Sequence, residues 1–251
     1  MYRDSLNTLI GIVLSKTSDE KRIEANQSIQ RILNKILIRP GYYDFPFDSM
    51  PSFAILSPSD KSFRIINWEL PFPPSRWEYY GFIQHKPIKE NTPRASRLSD
   101  CRSNIKNLSG FRGDATKWPG AHYYQLIECG RTIKHRYYLL LGIDWNNAVS
   151  RKKIIEVLSF QTDGSPVFGK QVFLQKGVQP HRVVFEYSAE VSMSLKYEEE
   201  RNRIVFDHLS APQGIRNAPP GTLAPDLSYD AYKRKKGKWK LLENIDARNA
   251  K

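Results

Sequence analysis

The chain has 251 residues, 40% of them hydrophobic and 12% aromatic, and a formal net charge of +13. That length buries most of its apolar surface in one large domain or two small ones, and the aromatic content excludes a disordered chain. No charge-free apolar run approaches the roughly 18 residues of a membrane span. The two cysteines, Cys101 and Cys129, lack a Cys-x-x-Cys spacing or a nearby His pair, which argues against a zinc site.

The charge is uneven. Residues 1–50 carry 7 basic and 6 acidic groups, and residues 181–251 carry 13 and 10, whereas Lys86 to Lys153 holds 14 Lys/Arg against 5 Asp/Glu. A second basic cluster comprises Lys233, Arg234, Lys235, Lys236, Lys238 and Lys240. Such a field favours an acidic partner: nucleic acid, anionic lipid, acidic glycan or acidic protein. The start, Met1-Tyr2-Arg3-Asp4, is polar and lacks the apolar core of an export signal, so the chain is either cytoplasmic or a mature form without its leader. Cys101 and Cys129 are compatible with one disulfide in an oxidising compartment or with two free thiols.

In chain order, Leu6, Leu9, Ile10, Val13 and Leu14 repeat at helical spacing. Thr17 and Glu20 then read as a capping box opening a second helix, which carries Ile23, Ile29, Ile32, Leu33, Ile36 and Leu37 and stops at Arg39-Pro40-Gly41. The balanced charge of this pair predicts a hairpin packed on a sheet rather than a membrane-surface element. From residue 50 the pattern is strand-like. Ser52–Leu56 and Phe63–Leu70 flank a Ser-Pro-Ser-Asp-Lys turn, and Trp77–Gln84 follows. Lys153–Phe160 and Val167–Leu174 flank an Asp163-Gly164 turn; Arg182–Tyr197 and Arg203–Leu209 flank Glu198–Asn202; Ser228–Lys233 and Lys238–Ile245 flank Lys235-Lys236-Gly237. Short turns imply antiparallel pairing. Lys86–Lys117 and the Pro-rich Ser210–Pro225 read as irregular loops. The prediction is one α+β, predominantly antiparallel β domain over residues 1–251. Two N-terminal helices (1–41) precede a large meander (50–249) of barrel, sandwich or propeller-like form, with loops at 86–117 and 210–225.

Two segments are candidate sites. In the first, an apolar strand ending at Gly142 is followed by Asp144, Trp145, Asn146 and Asn147. Its oxygens suit a hard cation or a polyhydroxylated ligand stacked on the indole, and the competing reading is an Asx turn. In the second, Asp207 and His208 end a strand, and Asp226, Tyr229 and Asp230 follow the Pro-rich loop, so a fold-back brings acids and an imidazole together for acid–base chemistry. Neighbouring residues of a strand point to opposite faces, which opposes that convergence. No Gly-x-Ser-x-Gly elbow, phosphate-binding Gly-rich loop or His-Glu-x-x-His pair occurs, and Ser188 and Ser192 lack an elbow. Glu186 and Glu190 share a face if their strand is regular, and cross-strand pairing with Lys/Arg is the expected use. Tyr123, Tyr124, Tyr137 and Tyr138 in the basic middle are the residues a nucleic-acid binder would use for base stacking, although no zinc-finger or RNP-type motif accompanies them. No catalytic residue, metal ligand or cofactor is assigned.

Many short stretches in order carry a resemblance: Arg39-Pro40-Gly41 with Phe45-Pro46-Phe47-Asp48-Ser49, Leu56-Ser57-Pro58, Trp68-Glu69-Leu70-Pro71 and Tyr80-Gly81-Phe82-Ile83-Gln84. They continue with Tyr137–Gly142 and Asn146-Asn147, Phe185–Ala189, Ile204–Leu209, Pro225–Asp230 and Gly237-Lys238-Trp239. In these the chain resembles a family of uncharacterised exported proteins of Bacteroidetes-type bacteria. The resemblance implies a native leader and a place in the periplasm or outer envelope, and it implies no activity. The expected function is therefore a non-enzymatic envelope protein that binds an acidic partner, a protein subunit or an anionic glycan. The alternatives are a hydrolase with its site near Asp207, His208 and Asp230, and an intracellular nucleic-acid binder.

Overall fold

The computed structural model describes residues 2–47, 50, 52–72, 75–87, 93–130, 136–212, 215 and 218–246. Among the described residues two helices, α1 (Tyr2–Leu14) and α2 (Asp19–Ile36), precede fifteen strands. These are β1 (Ala54–Leu56), β2 (Phe63–Phe72), β3 (Arg76–His85), β4 (Arg94–Ser99), β5 (Gly113–Asp114), β6 (His122–Cys129), β7 (Tyr137–Asp144) and β8 (Ser150–Phe160). There follow β9 (Pro166–Phe168), β10 (Phe173–Leu174), β11 (Val183–Ser188), β12 (Leu195–Glu198), β13 (Arg203–Ser210), β14 (Ala224–Lys235) and β15 (Lys238–Leu242). The strands form three sheets, ordered β1-β2-β3-β4, β5-β9-β8-β7-β6 with β11 also on β8, and β10-β15-β14-β13-β12. All pairs are antiparallel except β10 with β15. The fold is thus α+β with mostly β, and no barrel closes among the described strands. No helix among the described residues is long and apolar enough to cross a membrane.

Three apolar layers explain the stacking. Leu6, Ile10 and Val13 of α1 and Ala25, Ile29, Leu33 and Ile36 of α2 pack on Ile66, Trp68, Leu70 and Phe82 of the first sheet. Residues of opposite parity on the same strands, Phe63, Ile65, Tyr79 and Ile83, meet Tyr123, Tyr138 and Leu140 of the middle sheet, with Trp118 from the loop before β6. The other face of that sheet, including Leu139, Leu141, Ile155 and Val157, meets Ile204, Phe206, Tyr232 and Trp239 of the third. A sheet covered on both faces needs apolar residues at both parities, which is why β7 reads Tyr-Tyr-Leu-Leu-Leu without alternation.

Buried polar side chains tie the layers at points where backbone groups would be orphaned. Arg22 Nε donates to Val13 O at 3.0 Å, closing the end of α1. Gln84 donates through Nε2 to Leu37 O at 2.7 Å and accepts through Oε1 from Arg64 Nε at 2.8 Å. Asn67 accepts from Tyr123 N at 2.8 Å, beside the register shift between Tyr123 and Gln125. Arg182, wholly buried, donates through Nε to Glu156 at 2.7 Å.

Several expectations change. The N-cap of α2 is Ser18 rather than Thr17. The apolar strand runs past Gly142 to Asp144, held by pairing of Asp144 with Lys152. Residues 86–117 contain β4 and β5, and within 210–225 a 3-10 turn at Pro220–Thr222 precedes the first residues of β14. Residues 88–92, 213–214 and 216–217 of those two segments, and 247–251, lie outside the described residues. Arg182–Tyr197 is not one strand: β11 pairs with β8 in the middle sheet, and β12 pairs with β13 in the third. Likewise Val167–Leu174 divides into β9 and β10, which belong to different sheets.

Candidate functional site

Asp144 is fully buried. Its Oδ1 accepts from Tyr79 Oη at 3.2 Å, from Asn146 N at 2.9 Å and from the Arg102 guanidinium. Asn147 Oδ1 accepts from Val149 N at 2.8 Å and Ser150 N at 2.9 Å, while Asn146 takes a left-handed φ of 51°. Trp145 stacks on Trp77 with centroids 5.3 Å apart, and Arg151 covers it at 5.2 Å. The segment is therefore an Asx turn anchored by a buried carboxylate. Among the described residues no group of three or more His, Cys, Asp or Glu side chains is placed to hold a metal ion.

The strand-end residues converge in part. The carboxylate of Asp230 accepts from His208 Nδ1 at 2.8 Å through Oδ2 and from Asn244 N at 2.9 Å through Oδ1. The register shift between Asp207 and Leu209 sits where β13 presents His208 to β14. Asp230 is 8% exposed and His208 37%, so the imidazole meets solvent from an ordered base. The bond to Asp230 holds the His208 pKa above its ordinary value of 6.5, against a smaller opposing effect of burial, and Asp226 and Glu243 add to the rise. A cleft of about 500 Å³ borders the pair, lined also by Phe185, Phe206, Tyr232 and Glu243. Asp207 is used otherwise, accepting Ser194 N at 2.7 Å, and Asp226 accepts from Ser228 N and Oγ at 3.0 and 2.7 Å. Tyr229 lies across from Asp207 and is 37% exposed.

Glu186 stands opposite Lys152, with Nζ 3.9 Å from Oε2, the cross-strand pairing expected of it; Glu190 lies beyond the end of β11. Tyr123, Tyr137 and Tyr138 are buried, and of the four tyrosines only Tyr124 reaches 36% exposure. Both thiols are unpaired, and burial pushes the Cys129 pKa up to about 11.

Several cations of the middle region are engaged. Arg94 donates to Asp163 O at 2.5 Å, Arg136 to Asp60 at 2.7 Å and Lys152 to Asn146 Oδ1 at 2.8 Å. Lys153 lies 4.8 Å over the Tyr124 ring, and burial lowers its pKa. The open field is on the third sheet. Lys233 is directly opposite Lys240, and Lys235 opposite Lys238, around the turn at Lys236 (φ 50°) and Gly237 (φ 79°). Tyr232 and Trp239 of the same strands point into the core, so period-two alternation puts these lysines on the outer face. Lys196 of β12 shares that face, opposite Val205. Lys196, Lys233, Lys235, Lys236 and Lys240 are exposed, and among the described residues none of them has a carboxylate partner. The alternation Lys233-x-Lys235 and Lys238-x-Lys240 was the available signal for this face, whereas Lys196 joins it only through tertiary pairing.

Compared with protein-family models, with curated proteins and with solved structures, the chain matches none.

Proposed function

We propose that this chain is a non-enzymatic envelope protein, exported in its native setting, that binds an anionic glycan on the lysine face of the third sheet. The observation that carries the binding reading is the pairing of Lys233 with Lys240 and of Lys235 with Lys238, like charges set directly opposite each other, while Glu198 at the far end of the same cross-strand row is held by Arg203 at 2.6 Å. Such pairs destabilise a sheet unless a bound anion offsets the repulsion. Neighbouring strands repeat at roughly 4.8 Å, so the ammonium groups form a regular array suited to a linear polyanion. A protein partner is the weaker fit, because protein interfaces carry an apolar core and this row of side chains is cationic. Export rests on the family resemblance in the motifs from Arg39 to Trp239.

Dextran sulfate serves as the probe. Its binding should weaken steeply between low salt and about 0.5 M, since screening at that ionic strength confines exposed charges to a few ångströms. Affinity unchanged over that range contradicts the electrostatic reading, and preference for DNA of equal charge density points to the nucleic-acid alternative. For export, the native gene should yield a processed N-terminus in the periplasmic or membrane fraction by mass spectrometry; an intact cytoplasmic protein removes that part.

The second reading is acid–base catalysis at His208, favoured by the 2.8 Å bond that orients the imidazole from Asp230. Hydrolysis of a substrate in an ester panel that is lost in His208→Ala supports it; a hydrolysis that survives this change removes His208 from the reaction.

A further inference from the structure

The cleft beside His208 lies between two sheets. Val184, Phe185 and Glu186 of β11 line one side, and Phe206, His208, Asp230 and Tyr232 of the third sheet line the other. Its volume of about 500 Å³ is that of a small-molecule site. The floor is the apolar layer that the two sheets share: Phe206 and Tyr232 are buried in it and Phe185 packs against it. The three rings form a continuous wall, with centroids 4.4 Å apart for Phe185 and Phe206 and 5.7 Å for Phe206 and Tyr232.

The polar groups of this cleft run against the sign of the chain. Glu186, Asp207, Asp230 and Glu243 line it, and no Lys or Arg does among the described residues, although the net charge is +13. The cations nearest these acids hold them loosely: Lys176, which meets Glu243 Oε1, is 72% exposed, and Lys152 is 3.9 Å from Glu186 Oε2. His208 gives its Nδ1 proton to Asp230, so the neutral imidazole presents Nε2 as one more acceptor. Aromatic faces attract cations through the ring quadrupole, independently of any carboxylate. Floor and rim therefore favour the same ligand charge.

We propose that this cleft binds a small organic amine, its apolar body against the wall of Phe185, Phe206 and Tyr232 and its ammonium group among His208 Nε2, Glu186 and Glu243. The proposal rests on the second reading above for the place of the site, but it requires no turnover there.

The probe is phenethylamine, followed by amide and imidazole NMR on the full chain, above the pH at which the His208 ring signals titrate so that the imidazole is neutral. Saturable shifts centred on Phe185, His208, Asp230 and Glu243 are expected. Phenethyl alcohol, which has the same shape without the charge, should bind about tenfold more weakly, and phenylacetate should give no saturable shift. A Glu186→Gln, Glu243→Gln double variant should lose about tenfold in affinity for the amine. Those side chains are 30% and 44% exposed, so the variant should keep the circular dichroism of the wild type. Turnover is read separately: amine binding without hydrolysis in the ester panel removes the catalytic reading and leaves the amine site, whereas hydrolysis without amine binding does the reverse. Equal affinity for amine, alcohol and acid, absence of saturable shifts with the amine, or undiminished affinity in the double variant overturns the proposal.

Discussion

At Asp144 a single carboxylate oxygen receives donors from a tyrosine, a backbone amide and an arginine in a wholly buried setting. Arg102 also lies 3.4 Å from Asp100, so losing Asp144 leaves its charge a partner but takes the acceptor away from three donors. Asp144→Ala should therefore lower the unfolding free energy in urea by roughly 1–3 kcal/mol, while Asn147→Ala should cost about 1 kcal/mol, as for a lost capping side chain. Equal small losses would show that the Arg102 pair contributes nothing. His208 makes a pH statement. Its folded pKa lies above the ordinary 6.5, so its bond to Asp230 contributes stability fully below that unfolded value, and the contribution is lost as pH rises through the folded pKa. In Asp230→Asn the imidazole midpoint by NMR should fall towards 6.5; a midpoint that stays put assigns the rise to other groups. Of the residues flagged in sequence, Asp144 to Asn147 proved to be a turn because Asn and Asp satisfy their own backbone before they bind anything else. His208 and Asp230 met because Phe206 pairs with Asp230 and His208, two residues further on, takes the same face, a cross-strand register with no local mark in Asp-His-Leu-Ser.

The helical hairpin and the β1–β2, β8–β9 and β14–β15 hairpins were legible because each combines a clear period with nearby turn chemistry. The strand Arg182–Tyr197 was misread for the opposite reason. No Gly or Pro interrupts it, and the change of sheet between β11 and β12 is imposed by distant partners. The polar edge strand β4 escaped because only Ala95 and Leu98 pack on neighbours, too few to show a pattern. On α2, Leu33→Ala should cost roughly 2–5 kcal/mol, since Leu33 is wholly buried between the helices and the first sheet. On the third sheet, Lys233→Glu replaces a like-charge pair with an opposite one. It should raise stability by roughly 0.2–1 kcal/mol and at the same time weaken dextran sulfate binding. A melting temperature that falls would show that Lys233 and Lys240 do not repel as their register implies.

Across the whole molecule, helices and three sheets stack so that the two inner layers spend their charges on each other, as Arg182 does with Glu156 and Arg102 with Asp144. The outermost sheet can leave its lysines open. Net charge alone located the field in the middle of the chain, where Arg94, Arg102, Arg136 and Lys152 turned out to be committed, because composition does not distinguish a paired arginine from a free lysine. The most direct test is the affinity of the Lys196→Glu, Lys233→Glu, Lys240→Glu variant for dextran sulfate at low salt, with circular dichroism matched to the wild type. A fall of about a hundredfold with the fold intact is expected from reversing three contacts at about 1 kcal/mol each. Affinity equal to that of the wild type would place the interaction elsewhere and contradict the lysine face as the binding surface.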